Sequence, residues 1–332
     1  MSRLIDRLLC SKLQVPPFTP PRERHEMGQV LREMTPALLA PLRRAEVLVV
    51  DNVVDYFYSG TAQEWWEWDR DFPCLAPPFE TFWLETLAPR HAVSEACGTM
   101  TPPSRLCHAW GAIVEGIEWA SLRRDQVDTY LRSMPRLLQQ PRWLLSFDLF
   151  VEPRKHDVFL FGKLLLLLDA KGRVIFAEGG ESGSSVVEYI PVDDWDLRAG
   201  LRKLLPPMLM PFALAISFLH CRNVQLVERR SSPELSRAHK RRRGLPFVRY
   251  HVLEIEPMKR VLRTEGRADE VGLRQALHIC RGHFKDYRQR GLFGKHRGIF
   301  WWESYLRGAP EVGVVDKDYN VLPAATVAGG AP

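Results

Sequence analysis

The chain has 332 residues, 45% of them hydrophobic and 26% charged, with a net charge of +6. This is ordinary globular composition, and the length suffices for one large domain or two smaller ones with a core that needs neither staples nor a partner. The cysteines (Cys10, Cys74, Cys97, Cys107, Cys221 and Cys280) contain no C-x-x-C pair and no disulfide-like spacing, and no signal peptide is apparent. The expected setting is reducing and cytoplasmic. The apolar run from Leu204 to Leu219 contains Pro206, Pro207 and Pro211. It falls short of the ~20 residues a membrane span needs, so no membrane partner is expected.

The charge is uneven along the chain. From Arg222 onward there are 22 Lys+Arg against 12 Asp+Glu, whereas the first 221 residues hold 24 against 28. A basic C-terminal third is drawn to phosphate, an anionic surface or an acidic protein.

In chain order, residues 1–26 read as a flexible arm, interrupted by Pro16, Pro17, Pro20 and Pro21. A helix is predicted over 27–42, and the apolar, β-branched segment 45–54 as a buried strand, with Asp51 capping the next element. Tyr56, Phe57, Tyr58, Trp65, Trp66 and Trp68 open an aromatic stretch that continues through Phe79, Phe82 and Trp83. These rings fill a core or interface in preference to stacking on bases.

Residues 105–195 read mainly as β, with strands at 110–114 and 143–151. The run 156–169 returns through the turn Asp169-Ala170-Lys171-Gly172 into 173–178 as a hairpin. The Gly/Ser loop 179–185 lacks the order of a nucleotide-binding loop. Helices are predicted over 193–205 and 208–221, then a long loop over 228–245 and a strand over 247–255. A helix broken at Gly282 is expected over 272–290, a strand over 298–304, and an unstructured tail at 323–332. The fold class is α+β, with mixed, antiparallel sheets and packed helices. The expected division is 1–26, 27–221, a basic C-terminal α+β module over 222–322, and 323–332.

Three clusters carry the candidate chemistry. In Arg237-Ala238-His239-Lys240-Arg241-Arg242-Arg243-Gly244, five of eight residues are fixed cations, suited to phosphate oxygens. The segment 277–288 holds His278, Arg281, His283, Lys285, Tyr287 and Arg288. A metal-independent phosphodiesterase needs this inventory: histidines for proton transfer, and Arg or Lys for the phosphorane. On a helix, however, His278 and His283 would stand about 140° apart and share no face. The spacing H-x-C-x-x-H is not a familiar zinc pattern, so neither metal nor cofactor is expected. The third cluster joins the basic loop Lys295, His296 and Arg297 to an aromatic strand. Alternation there puts Phe300 and Trp302 on one face and Trp301 on the other. Trp301 and Trp302 either stack on a base or anchor the strand, and Arg307 follows.

The pattern Ala276-Leu277-His278-Ile279-Cys280-Arg281-Gly282-His283-Phe284-x-x-Tyr287, with Leu292-Phe293-Gly294-Lys295, Trp301-Trp302, Arg307-Gly308 and Lys317-Asp318-Tyr319, resembles a family of uncharacterised bacterial and phage proteins. The likeness extends to Ala76-Pro77-Pro78-Phe79, Phe82-Trp83 and the stretch 218–224. It implies a mobile-element setting and a unit containing both halves, and it carries no mechanism.

The resulting expectation is a nucleic-acid-binding protein, RNA or DNA, acting through Lys240, Arg241, Arg242, Arg243, Arg281, Lys285, Lys295, Arg297 and Arg307. Its sharper form is a nuclease with His278, His283, Tyr287 and His296 in proton-transfer roles. The alternative is a non-enzymatic phage or plasmid regulator, inhibitor or assembly factor whose basic face meets an acidic protein partner.

Overall fold

The computed structural model describes residues 3–10, 12–17, 19–59, 71–87, 108–124, 140–175, 186–189, 205–256, 276–280, 283–302, 305–307, 309–315 and 321–322. At 58–59, 186–189, 205–207, 276–280, 305–307, 309–315 and 321–322 the description is of the backbone. The chain forms two compact units. One is Met1–His220 with Gln225–Glu254, the other Cys221–Val224 with Ile255–Pro332.

The fold is α+β. Its main sheet has eight strands in the order β6-β5-β4-β3-β2-β1-β8-β7. These are β1 (Glu46–Val49), β2 (Thr81–Leu87), β3 (Ala109–Glu118), β4 (Trp143–Glu152), β5 (Phe159–Leu168), β6 (Val186–Tyr189), β7 (Val224–Arg229) and β8 (Tyr250–Ile255). β1 runs parallel to β2 and β8, while β2 through β6 form an antiparallel meander. The helices are α1 (Leu4–Cys10), α2 (Arg24–Leu39), α3 (Asp51–Ser59), α4 (Leu205–Leu219) and α5 (Pro233–Arg243).

Side-chain alternation makes the two sheet faces chemically different. One carries Phe82, Leu84, Trp110, Ala112, Val114, Leu145, Phe147, Leu149, Leu164 and Leu166, all buried. α4 closes over this face. Its Phe212 ring lies 6.4 Å from that of Trp110, and the Met208 carbonyl accepts the Trp110 indole N–H at 3.0 Å.

The other face is interrupted by polar groups. The register puts Trp83 beside Ile113 and Ile113 beside Asp148, Glu115 beside Ser146, and Asp148 beside Lys163. Glu85 and Glu152 lie further along this same face, and both are buried.

α1 answers two of these carboxylates. Its apolar positions Leu4, Ile5 and Leu8 are buried against Trp83, Ala109 and Phe150. Arg7 forms a two-pronged ion pair with Glu152, at 2.7 and 2.6 Å. The Ile5 N–H and the Trp83 indole N–H both donate to Glu85 at 2.8 Å. Arg3 pairs with Asp51 at 2.9 Å, and Asp6 accepts the Val248 N–H at 2.9 Å. Residues 4–10 are therefore not part of a flexible arm. The helical spacing of their apolar side chains, with Arg7 between them, decides otherwise.

Three further expectations change. Segment 45–54 is a strand only to Val49, because Asp51 begins α3. Residues 233–243, expected in a loop, are helical, and α5 belongs to the larger unit, so 222–322 is not one module. Residues 272–290, expected as a helix, contain β9 (Ala276–Cys280) and β10 (His283–Asp286). The hairpin turn at 169–172 is present, with a bridge from Leu168 to Val174. Trp65, Trp66, Trp68, the 179–185 loop, most of the 193–205 helix and the tail lie outside the described residues.

Two stability experiments follow. Arg7→Ala leaves Glu152 buried without its counter-charge, and should lower the urea-unfolding free energy by about 3–5 kcal/mol. Burial pushes the Glu85 carboxyl up to about 7, against the two hydrogen bonds and Arg3, which pull it down. The folded state thus holds this proton more tightly than the unfolded chain. The stabilisation is complete below about pH 4.5 and is lost as pH rises toward 7, by roughly 3 kcal/mol. Glu85→Gln should flatten that slope, seen as a rise in stability relative to wild type across the same interval.

Candidate functional site

α5 forms because its own sequence caps it. The Ser232 hydroxyl accepts the Leu235 N–H at 3.3 Å, Pro233 takes the first turn, and Glu234 faces the positive end of the helix. Lys240, Arg241, Arg242 and Arg243 sit at the negative end. Gly244, at φ 85°, closes the helix with its N–H on the Lys240 carbonyl at 2.8 Å.

At 100° per residue, Arg237, Lys240 and Arg241 share one side of the helix. Leu235, Ala238, His239, Arg242 and Arg243 occupy the other and line a cleft of about 310 Å3 with Asp6, Cys10 and His156. His239 is fixed there. Its Nδ1 lies 2.7 Å from the Leu245 carbonyl, and its ring stacks on Phe247 at 4.1 Å.

The α5 cations differ from the arginines on or beside β7 and β8. Arg229 pairs with Glu254 at 3.0 Å, Arg230 with Glu228 at 2.6 Å, and Arg249 with Glu228 at 3.8 Å. Arg237, Lys240, Arg241, Arg242 and Arg243 are exposed and have no carboxylate partner among the described residues.

In the second unit, β10 pairs antiparallel with β11 (Ile299–Trp302), His283 opposite Trp302 and Lys285 opposite Phe300. One face of this hairpin gathers several candidate residues around Phe300 and Trp302. The Lys285 ammonium lies 4.5 Å from the Trp302 ring centre. Tyr287 and His296 approach Phe300, with ring centres 6.0 and 5.9 Å away. His283 shares the face by register. Lys295 and Arg297 are exposed on the connecting loop.

Trp301 and Trp302 are only 3% and 5% exposed, so they anchor the strand and present no open ring for a base. Arg288 is engaged by Asp286 at 2.6 Å. His278 stands on β9 opposite Arg307 of β12 (Tyr305–Arg307), where the backbone is described, and Arg281 lies outside the described residues. His278 and His283 are on strands, so the helical-spacing argument against their convergence no longer applies.

The hairpin is held from an unforeseen quarter. Asn223 accepts the Trp301 N–H at 3.0 Å and donates to the Trp301 carbonyl at 3.0 Å. The Arg222 N–H reaches the Ile299 carbonyl at 2.9 Å. Gly298, at φ 135°, makes this approach feasible, since a Cβ there would sit 2.6 Å from Arg222 Cγ.

A further polar group has no counterpart among the sequence-based expectations. Glu115, Asp148 and Lys163 line a cleft of about 300 Å3 beside Met34, Ala37, Leu38 and Pro41. Lys163 lies 3.4 Å from Asp148. Burial is the main cause raising both carboxyls above the ordinary range, while Lys163 opposes it. The signal was present as Ser146, Asp148 and Glu152 at even spacing inside an otherwise apolar strand, with Lys163 interrupting the next.

Gly298→Ala combines a disfavoured φ with a steric clash, and should release the hairpin. The expected readout is a loss of at least about 2 kcal/mol in stability, together with increased solvent exposure of tryptophan by fluorescence quenching. Compared with protein-family models, with curated proteins and with solved structures, the chain finds no match.

Proposed function

We propose that the protein binds nucleic acid through the phosphate backbone, with α5 as the principal contact, in a mobile-element setting. The observation that carries this reading is the set of exposed α5 cations without carboxylate partners among the described residues, in contrast to the paired Arg229, Arg230 and Arg249 on or beside β7 and β8. An unpaired guanidinium or ammonium row gains by releasing condensed counterions from a polyanion. An already paired cation gains less, because its own carboxylate must be displaced.

Arg237, Lys240 and Arg241 form the outward row, and Arg242 and Arg243 extend it around the helix end into the cleft with His156 and His239. Lys295 and Arg297 supply further phosphate-binding groups in the second unit. Such groups position a strand without reading its sequence, so preference among base sequences should be weak. His283, Lys285, Tyr287 and His296 retain the residue types for proton transfer and phosphate binding at the hairpin.

The test is retention of purified protein on single- and double-stranded RNA and DNA over a salt series. Binding should fall steeply with salt, and the triple variant Arg237→Glu, Lys240→Glu, Arg241→Glu should weaken it on every sequence. The log–log salt slope should shrink by about one for each phosphate that is no longer neutralised. Absence of retention at low salt, or retention that salt does not weaken, refutes the reading. Stronger retention of an acidic polypeptide than of any nucleic acid would instead favour a protein partner.

A further inference from the structure

The two sides of α5 meet different surroundings. Arg237, Lys240 and Arg241 share one side of the helix, whereas Arg242 and Arg243 border the cleft of about 310 Å3 between α5, α1 and the turn that joins β4 to β5. Every group at this cleft belongs to the larger unit. Arg242 and Arg243 supply fixed charge there that no carboxylate among the described residues answers. Arg7 is engaged by Glu152, and the Asp6 oxygens already accept the Arg3 and Val248 N–H groups, each at 2.9 Å. Burial and Asp6 push the Cys10 thiol up while Arg243 pulls it down, so the Arg243 charge reaches across to α1.

The cleft offers more than charge. On the α5 side its wall is apolar: Leu235 is 58% exposed, and the half-buried Phe247 stacks on the His239 ring at 4.1 Å. An apolar wall beside uncommitted guanidiniums suits a base together with its phosphate. His239 adds direction. The Leu245 carbonyl can only accept, so the Nδ1 atom 2.7 Å away carries the hydrogen. In the neutral ring Nε2 is then an acceptor, without a partner among the described residues and suited to a nucleoside hydroxyl or amine. Opposite, the exposed His156 is held at φ 78°, its N–H donating to the buried Glu152 at 2.8 Å. That backbone state is uncommon for a residue other than glycine.

We infer that this cleft holds a single nucleotide at the phosphorylated end of a nucleic-acid strand, with its phosphate on Arg242 and Arg243 and its nucleoside against Leu235 and His239. Nucleic acid as the ligand rests on the reading of α5 given above, and the preference for a terminal phosphate is an added property of the cleft. A terminal monoester carries a charge of about −1.5 to −2, more than a diester within the strand. Two guanidinium forks, each able to hold two oxygens, suit the monoester. The volume agrees, since about 310 Å3 lies at the small end of ligand pockets and suits one nucleotide better than a strand passing through.

The experiment measures binding of full-length protein to a short single strand by fluorescence anisotropy, with a phosphate on its first nucleotide, on its last or on neither. One phosphorylated end should tighten binding by about tenfold over the unphosphorylated strand. The matching adenosine monophosphate should compete with that strand, and adenosine, inorganic phosphate and phosphoserine should each compete about tenfold less well. Arg242→Gln combined with Arg243→Gln, at two exposed positions, should erase the advantage of the phosphorylated end, whatever happens to binding overall. Arg237→Gln combined with Arg241→Gln should weaken binding of every strand and keep the advantage. Indifference of wild type to both terminal phosphates overturns the inference, and so does an advantage that survives in the Arg242→Gln, Arg243→Gln protein with its circular dichroism matched to wild type. Competition by phosphoserine equal to that of adenosine monophosphate also overturns it. Indifference to the terminal phosphate leaves α5 standing as a strand contact, whereas failure of every strand to bind refutes both readings.

Discussion

The larger unit depends on how one face of its central sheet disposes of buried charge. Glu85 and Glu152 are both fully enclosed, and an uncompensated carboxylate there would cost several kcal/mol. α1 supplies the compensation through Arg7 and the Ile5 N–H, while Leu4, Ile5 and Leu8 complete the apolar packing around them. A seven-residue helix has little stability of its own. The sheet's charges and the helix's donors therefore require each other, and the N-terminal segment is an integral layer of the fold.

This arrangement makes the two faces of the sheet differ in polarity. The opposite face of the sheet is mainly apolar, with the buried Thr86 beside Trp110, and is closed by α4, whose residues from Met208 to Phe218 are all buried. The polar face carries Glu85 and Glu152 under α1, and beyond α1 Glu115, Asp148 and Lys163 are gathered at a cleft. Cations are segregated differently: Arg229, Arg230 and Arg249, on or beside β7 and β8, are paired, and the helical ones on α5 stand clear of carboxylates among the described residues.

The second unit relies on a different device. Asn223 uses both ends of its amide on the backbone of Trp301, imitating a strand partner, and Gly298 allows the chain at Arg222 to come close. Two stretches far apart in sequence, around 221–224 and 299–302, are thereby joined through backbone hydrogen bonds.

Much of this was legible in the sequence. The helix near 27–42, the strands near 110–114, 143–151 and 156–169, the turn at 169–172 and the alternation of Phe300, Trp301 and Trp302 follow from periodicity and turn chemistry, which act over a few residues, whereas β2 reads only as part of an aromatic stretch. The signs for α5 were also local: Ser232-Pro233-Glu234 at one end and Gly244 at the other. They were outweighed by a charge run that resembles a loop. The segment 276–286 went the other way. Its residue types suit a helix as well as a strand, and only pairing with β11 and β12 settles the choice. Composition and local pattern thus determined the α+β class and the basic character of the later chain. The tertiary structure alone decided which carboxylates are neutralised, which cations remain unpaired among the described residues, and that Glu115, Ser146, Asp148 and Lys163 share one face. Those outcomes depend on register between strands separated by tens of residues, which no local pattern encodes.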